Sequence, residues 1–171
     1  MMTTEQSVQQ ASRPAMPAGY GLTDPQSETE LLPWSWLETR LAEARNYWIG
    51  TTRPDGRPHV MPVWGIWLEG TFIFSTDRAA RKAKNVAHNP AMTVHLESGD
   101  EVVILEGLAE EVTEAGLLAR YAAAYKVKYD IDFNPDDPAA AGNVTYGLRP
   151  QRAFAWLEQD FPHTATRWQL G

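Results

Sequence analysis

Apolar residues along this chain follow two spacings, and the switches between them mark the elements. Behind Pro33, a residue that a helix accepts in its first turn, Trp36, Leu37, Leu41 and Ala44 recur at helical intervals and predict a helix over about 33–45. From Asn46 the period becomes two. NYWIGTTR reads as a strand, Pro54-Asp55-Gly56 as a turn and PHVMPVWGIWLE as a second, longer strand, so the pair is a hairpin. Glu69-Gly70 turns the chain into the strand TFIFST. Further on, AMTVHLES and EVVILEGLAEEV flank a turn at Gly99-Asp100 and form a second hairpin.

Helical spacing returns over 113–128, with Leu117, Leu118, Tyr121 and Tyr125 on one side and a start near Thr113. The segment 129–142, with its prolines and aspartates, reads as a surface loop. VTYGLRPQRAFAWLE is one strand interrupted at Pro150, or two, and a last short strand lies near ATRWQL. Five to seven mostly antiparallel strands of this kind suit a mainly β fold with peripheral helices, closed as a barrel. Residues 31–171 form one domain on this reading. Residues 1–30, rich in Gln, Ser, Thr, Pro and Ala, form an N-terminal arm, either mobile or wrapped over a partner surface.

The segment Thr71–Pro90, TFIFSTDRAARKAKNVAHNP, joins a strand to a basic helix. Thr76 or Asp77 is placed to cap that helix, whose free N–H groups and dipole favour an anion. Helical numbering puts Arg78, Arg81, Lys82 and Asn85 on one face and Ala79, Ala83 and Val86 on another. Two hydroxyls, Ser75 and Thr76, converge on the same point. The chemistry fits a phosphate; an ordinary solvated basic face has the same sequence.

Charge narrows the partners. The 171 residues carry 15 Lys+Arg against 22 Asp+Glu, a net charge of −7, which argues against nucleic acid but leaves room for a local basic pocket. With no cysteine, disulfides, thiolate metal sites and cysteine nucleophiles are excluded. No apolar run is long enough for a membrane span and the N-terminus lacks signal-peptide order, so a cytoplasmic protein is expected.

Pro62 cannot donate to a ladder, so its strand is expected to lie at an edge or to bulge there. Alternation puts His59, Met61, Val63 and Trp67 on one face, and Val60, Pro62, Trp64 and Ile66 on the other. Trp64, beside Gly65, offers a flat wall to a ring or is a core residue. The histidines at 59, 88, 95 and 163 lack ligand spacing, and no metal site is expected. His59 is the best single candidate for a substrate or cofactor contact, while His95 reads as structural. Glu106 is a possible buried carboxylate, paired with an arginine or facing outward. GxSxG, GxGxxG and P-loop motifs are absent.

In order, IGTTRPDGRPHVMPVW, FIFSTDRAARKAKNVAHNP, VVILEGLAEEV and the late RAFAW and TATRW segments resemble the split β-barrel flavin and deazaflavin oxidoreductases related to pyridoxamine 5′-phosphate oxidase. The resemblance spans about 33–171. It implies a homodimer with the cofactor in a groove between subunits. Ser75, Thr76, Arg81 and Lys82 would hold its phosphate, Lys82 foremost, with Lys84 and Asn85 secondary. Pro62, Val63 and Trp64 would border the ring, and Trp156, Arg167 and Trp168 would reach it from the C-terminal strands. The second strand, HVMPVWGIW, lacks the R-x-x-x-x-K pattern of the vitamin B6 oxidases, so that activity is not implied. The resemblance favours coenzyme F-420, then FMN. It implies hydride transfer to a small unsaturated or quinone-like substrate, with the cofactor carrying the chemistry and His59 a candidate proton donor. The wider branch also holds haem and other tetrapyrrole (bilin) binders, which makes a non-catalytic carrier the alternative.

Overall fold

The computed structural model describes residues 10–22, 30–134 and 141–170. Its framework is one antiparallel sheet of nine strands: β1 (Gln10–Ser12), β2 (Tyr47–Thr52), β3 (Pro58–Val63), β4 (Ile66–Leu68), β5 (Thr71–Asp77), β6 (Ala91–His95), β7 (Glu101–Glu111), β8 (Asn143–Leu157) and β9 (Thr166–Gln169). Among the described residues four α-helices accompany it, α1 (Trp34–Glu43), α2 (Arg81–His88), α3 (Ala115–Tyr129) and the short α4 (Phe161–Thr164). The ladder runs β3-β2-β6-β7-β8. At β8 it branches along the edge opposite β7, where residues 143–148 pair with β5, which carries β4, and residues 152–155 pair with β9, which carries β1.

The expected closed barrel is corrected here. No ladder among the described residues joins β3 to β4, so the sheet curls without closing. The predicted long strand over 58–69 breaks at Trp64-Gly65, which lets β4 leave β3 and pair with β5 instead. Close packing requires glycine at that break: a Cβ on Gly65 would lie 2.4 Å from the Phe72 ring and 2.9 Å from the Ile73 carbonyl. The strand count also exceeds the five to seven expected, because the short β1 and β4 carry no clear period of their own.

Pro62 lies, as expected, on an edge strand, opposite Trp48 in regular register and without a bulge. The irregularity is instead in β8, a single strand, where Arg152 and Pro150 face consecutive residues Glu106 and Gly107 and Gln151 is passed over. Glu69 (φ 51°) and Gly70 (φ 73°) form the left-handed two-residue turn between β4 and β5. Of the N-terminal arm, Gln10–Ser12 adds a strand to β9, and Arg13 donates to the carbonyls of His163 and Ala165. Residues 1–9 and 23–29 of that arm, and 135–140 of the predicted surface loop, lie outside the described residues.

Two cores result from the alternation of β5. Phe72 and Phe74 join Leu37, Leu41, Tyr47, Ile49, Leu105, Leu148 and Trp168 in the main core. Ile73, pointing the other way, joins Ile66, Tyr121 and Tyr129 under α3. Glu114 caps α3, its carboxylate accepting from the Gly116 and Leu117 amides, one residue beyond the predicted Thr113. A two-point ion pair from Arg40 to Glu101 (2.6 and 3.1 Å) fastens α1 to β7.

Candidate functional site

The residues predicted from Thr71–Pro90 do not all meet. β5 continues through Asp77, so Ser75 and Thr76 are consecutive strand residues with opposite faces. Ser75 Oγ bonds Thr145 Oγ1 at 2.6 Å on the α3 side, while Thr76 is buried on the main-core side. Neither Thr76 nor Asp77 caps the helix. The Asp77 carboxylate accepts from the Ala79 amide in a turn, and α2 starts after Ala80 without a side-chain cap. Arg78 stays outside α2 and pairs with Glu111.

The buried arc of α2 is wider than its apolar residues alone define. Ala83, Asn85 and Val86 form its buried face, and Asn85, expected beside the ligand, is fully enclosed. Its amide donates to Thr51 Oγ1 at 3.0 Å and ties α2 to β2. A ligand has no access to an atom so enclosed, so Asn85 is a strut behind the site. Arg81 and Lys84 are exposed and Lys82 half-buried at the helix start.

A fourth basic residue joins them that sequence reading passed over: Arg53, just beyond β2 in the TTRPDGRP hairpin. Burial first, then the positive charges of Arg53, Lys82 and Arg81, hold the His59 imidazole below its ordinary pKa. His59 Nδ1 lies 3.4 Å from Thr51 Oγ1, the hydroxyl that Asn85 also holds. Five of the eleven arginines are paired with acids: Arg40, Arg57, Arg78, Arg120 and Arg152 each face a carboxylate. Among the described residues, Arg53, Arg81, Lys82 and Lys84 face none within 4.0 Å. Arg53 Nε is in addition buried without a partner. Like charges gathered without counter-ions repel, and an oxyanion would relieve them. The donor set fits a phosphate.

At the far end of β3 stand Val63, half-buried on the inner face, Pro62 on the outer face, and Trp64 just past the strand. Trp64 is 38% exposed, which rules out the core alternative, and its indole lies on Tyr129 with ring centres 4.8 Å apart. Five residues separate His59 from Trp64, about 17 Å of extended strand. An elongated ligand with an anionic end and a planar end matches that span.

The C-terminal candidates divide. Trp156 and Arg167 share the outer face through Phe154, and Trp156 packs edge-on against Phe161 at 5.7 Å. Trp168 faces the other way, 1% exposed, edge-on to Trp34 at 5.5 Å. Its place opposite Ala153 puts it in the core, so this chain's Trp168 does not reach a ligand. Glu106 faces outward, 3.6 Å from Arg152. His95 stacks on Trp48, with Nδ1 2.8 Å from the Leu96 carbonyl oxygen.

The outer face carries a cross-strand row, Val60–Gly50–Thr93–Glu106–Arg152. It lines a hollow of about 480 Å³ together with Leu108 and Gln151. Val60 and Leu108 on this face are 50% and 44% exposed, unusually high for aliphatic side chains on a sheet.

Beneath Trp64, burial pushes the Lys128 amine down to about 8, below its ordinary value near 10.4. Between about pH 8 and 10 the unfolded chain therefore holds a proton that the folded chain has released, and stability rises with pH. The neighbouring phenols of Tyr47 and Tyr129 are raised by burial, so their opposing contribution begins only above about pH 10. Allowing for solvent around a half-exposed amine, urea unfolding at about pH 9.5 should show about 1 kcal/mol more stability than at about pH 7.5. In Lys128→Met this difference should vanish; an equal slope in the variant would assign it to another group.

The sequence profile of pyridoxamine 5′-phosphate oxidase matches residues 36–157, so the chain belongs to that family. Among solved structures it is similar to the conserved hypothetical protein Rv2991 of Mycobacterium tuberculosis, with 23% identity, TM-score 0.65, and 78% of this chain and 90% of that one covered. An F-420 reductase shares 24% identity at TM-score 0.56, over 68% of this chain and 94% of that one. A haem-binding protein of Mycobacterium smegmatis shares 21% at TM-score 0.54, over 73% and 55%. These likenesses show the fold. None of the curated proteins matches. No described helix is long and apolar enough to cross a membrane.

Proposed function

We propose that the chain is an oxidoreductase that binds a phosphate-tailed flavin-type cofactor, F-420 in preference and FMN next, at the face of a homodimer. The carrying observation is the group Arg53, Arg81 and Lys82 beside His59, cationic and without carboxylate partners in a protein of net charge −7. Arg53, Arg81 and Lys82 would hold the phosphate, and Pro62, Val63 and Trp64 would border the ring. The exposed apolar residues Val60 and Leu108 on the outer face support a second copy as its cover. Trp156 and Arg167, on the outer face, are placed to meet a partner subunit's groove.

When bound, such a cofactor supplies hydride transfer to or from a small unsaturated or quinone-like molecule. The chain's own work is positional. Asn85 and Thr51 fix the helix and strand that carry the cations. His59 stands with the cations at the phosphate end, about 17 Å of strand from the ring end, so the proton that follows the hydride would come from solvent.

The deciding experiment is titration of the purified protein with F-420, FMN and haem, followed by absorption, then turnover on a panel of enones and quinones, with the oligomeric state measured alongside. Tight F-420 or FMN binding by a dimer, with turnover, is the expected result. Saturable haem binding without flavin affinity would replace this reading with a carrier function.

A further inference from the structure

A second set of cations without carboxylates lies at the Trp64 end of β3. The Arg45 guanidinium sits 5.3 Å from the Trp64 ring centre and 5.8 Å from that of Tyr129. Lys128 Nζ lies 4.7 Å from the Tyr47 ring centre and 5.6 Å from that of Tyr129. It donates to Tyr47 Oη at 2.7 Å and, at 3.4 Å, to the Gly65 carbonyl. Among the described residues neither cation has a carboxylate within 4.0 Å.

Among the described residues the groups around the two cations are neutral. Tyr129 Oη bonds the carbonyls of Arg45 and Gly65, and Tyr47 Oη donates to the Leu41 carbonyl. Cation–π attraction offsets part of the cost of holding two charges there, but a half-buried lysine in apolar surroundings is still dearer than a methionine. Trp64 adds a flat surface: the indole that stacks on Tyr129 at 8° from parallel remains 38% exposed. A stacking plane bordered by two uncompensated cations has the complement of a ring bearing an anionic oxygen.

We propose that the corner made by Trp64, Tyr129, Arg45 and Lys128 binds a planar conjugated anion, a carboxylate or an enolate, with its ring on the open side of Trp64 and its charged oxygen toward Arg45 and Lys128. Binding itself is independent of the cofactor cluster. Calling the bound anion a substrate rests on the proposed function, because only then does the far end of β3 adjoin a cofactor ring.

The test is calorimetric titration of the full chain with 2-naphthoate and, as its uncharged match, 2-naphthylmethanol. The acid should bind at least about tenfold tighter than the alcohol, the worth of one charge-assisted contact. Lys128→Met and Arg45→Gln should each weaken the acid about tenfold and leave the alcohol unchanged, and Trp64→Leu should weaken both. Lys82→Ala should leave the acid's affinity unchanged while weakening FMN and F-420, which separates this corner from the phosphate cluster. Equal binding of acid and alcohol, no binding of either, or a loss in Lys82→Ala as large as in Lys128→Met would overturn the proposal. Because Arg45→Gln removes no buried group, it decides the matter even if Lys128→Met folds poorly.

Discussion

Replacing Arg81 and Lys82 together by alanine is expected to weaken FMN or F-420 binding by at least about 100-fold while leaving the fold intact. A charge-assisted contact to phosphate contributes about 1.5–3 kcal/mol, and about 1.4 kcal/mol is tenfold in affinity, so two lost contacts reach that range. Stability should move by less than about 0.5 kcal/mol, since neither side chain has a carboxylate partner to lose. Their removal also relieves repulsion of Arg53 and raises the His59 pKa toward its ordinary value. Cofactor titration paired with urea unfolding reads both effects. Unchanged affinity would remove the phosphate from this helix; a large stability loss would make the cluster structural.

Trp168→Ala is expected to cost about 3–5 kcal/mol of folding stability, the range for truncating a large core aromatic. Trp168 is 1% exposed, edge-on to Trp34 at 5.5 Å, and its strand lies between β1 and β8 opposite Ala11 and Ala153. Small neighbours on both sides leave a cavity that they cannot fill. Unfolding in urea measures the loss, and the folded fraction should bind cofactor as the parent does. A variant of parental stability that had lost its cofactor would instead turn this indole toward a groove.

The elements themselves were legible in the sequence, because periods of 3.6 and 2 follow from which side of a helix or strand is buried. Leu37 and Leu41 in α1, the alternating β2 and the turn at Glu69-Gly70 are direct cases. Pairing was not legible. Nothing local says that β4, so close behind β3, belongs to β5, and Ile66, Trp67 and Leu68 prolong the apolar run across the break at Trp64-Gly65. At the candidate site, Lys82 and Arg81 were found by charge and spacing. Arg53 was missed because it comes to α2 only through the curl of the β2–β3 hairpin. Asn85 and Trp168 were misassigned for a related reason: a polar or amphipathic residue looks the same in sequence whether it faces a ligand or a core. For Asn85 the width of the buried arc of α2 decided it, since that arc takes in Ala83, Val86 and Asn85 and leaves Arg81, Lys84 and Ala87 outside.

β8 is hydrogen-bonded to β5, β7 and β9, and everything else in the sheet reaches the other half through it. Its pairs with β5 join residues as distant as Phe72 and Leu148. During synthesis, then, β5 leaves the ribosome long before its long-range partner exists, with only the short β4 beside it. The hairpins β2–β3 and β6–β7 are local and can form early, whereas the halves can join only once residues 143–148 have emerged. Loop closure over such distances is slow. The edge of β5, carrying Phe72 and Phe74, is therefore the surface on which a nascent or refolding chain is most open to pairing with a neighbour.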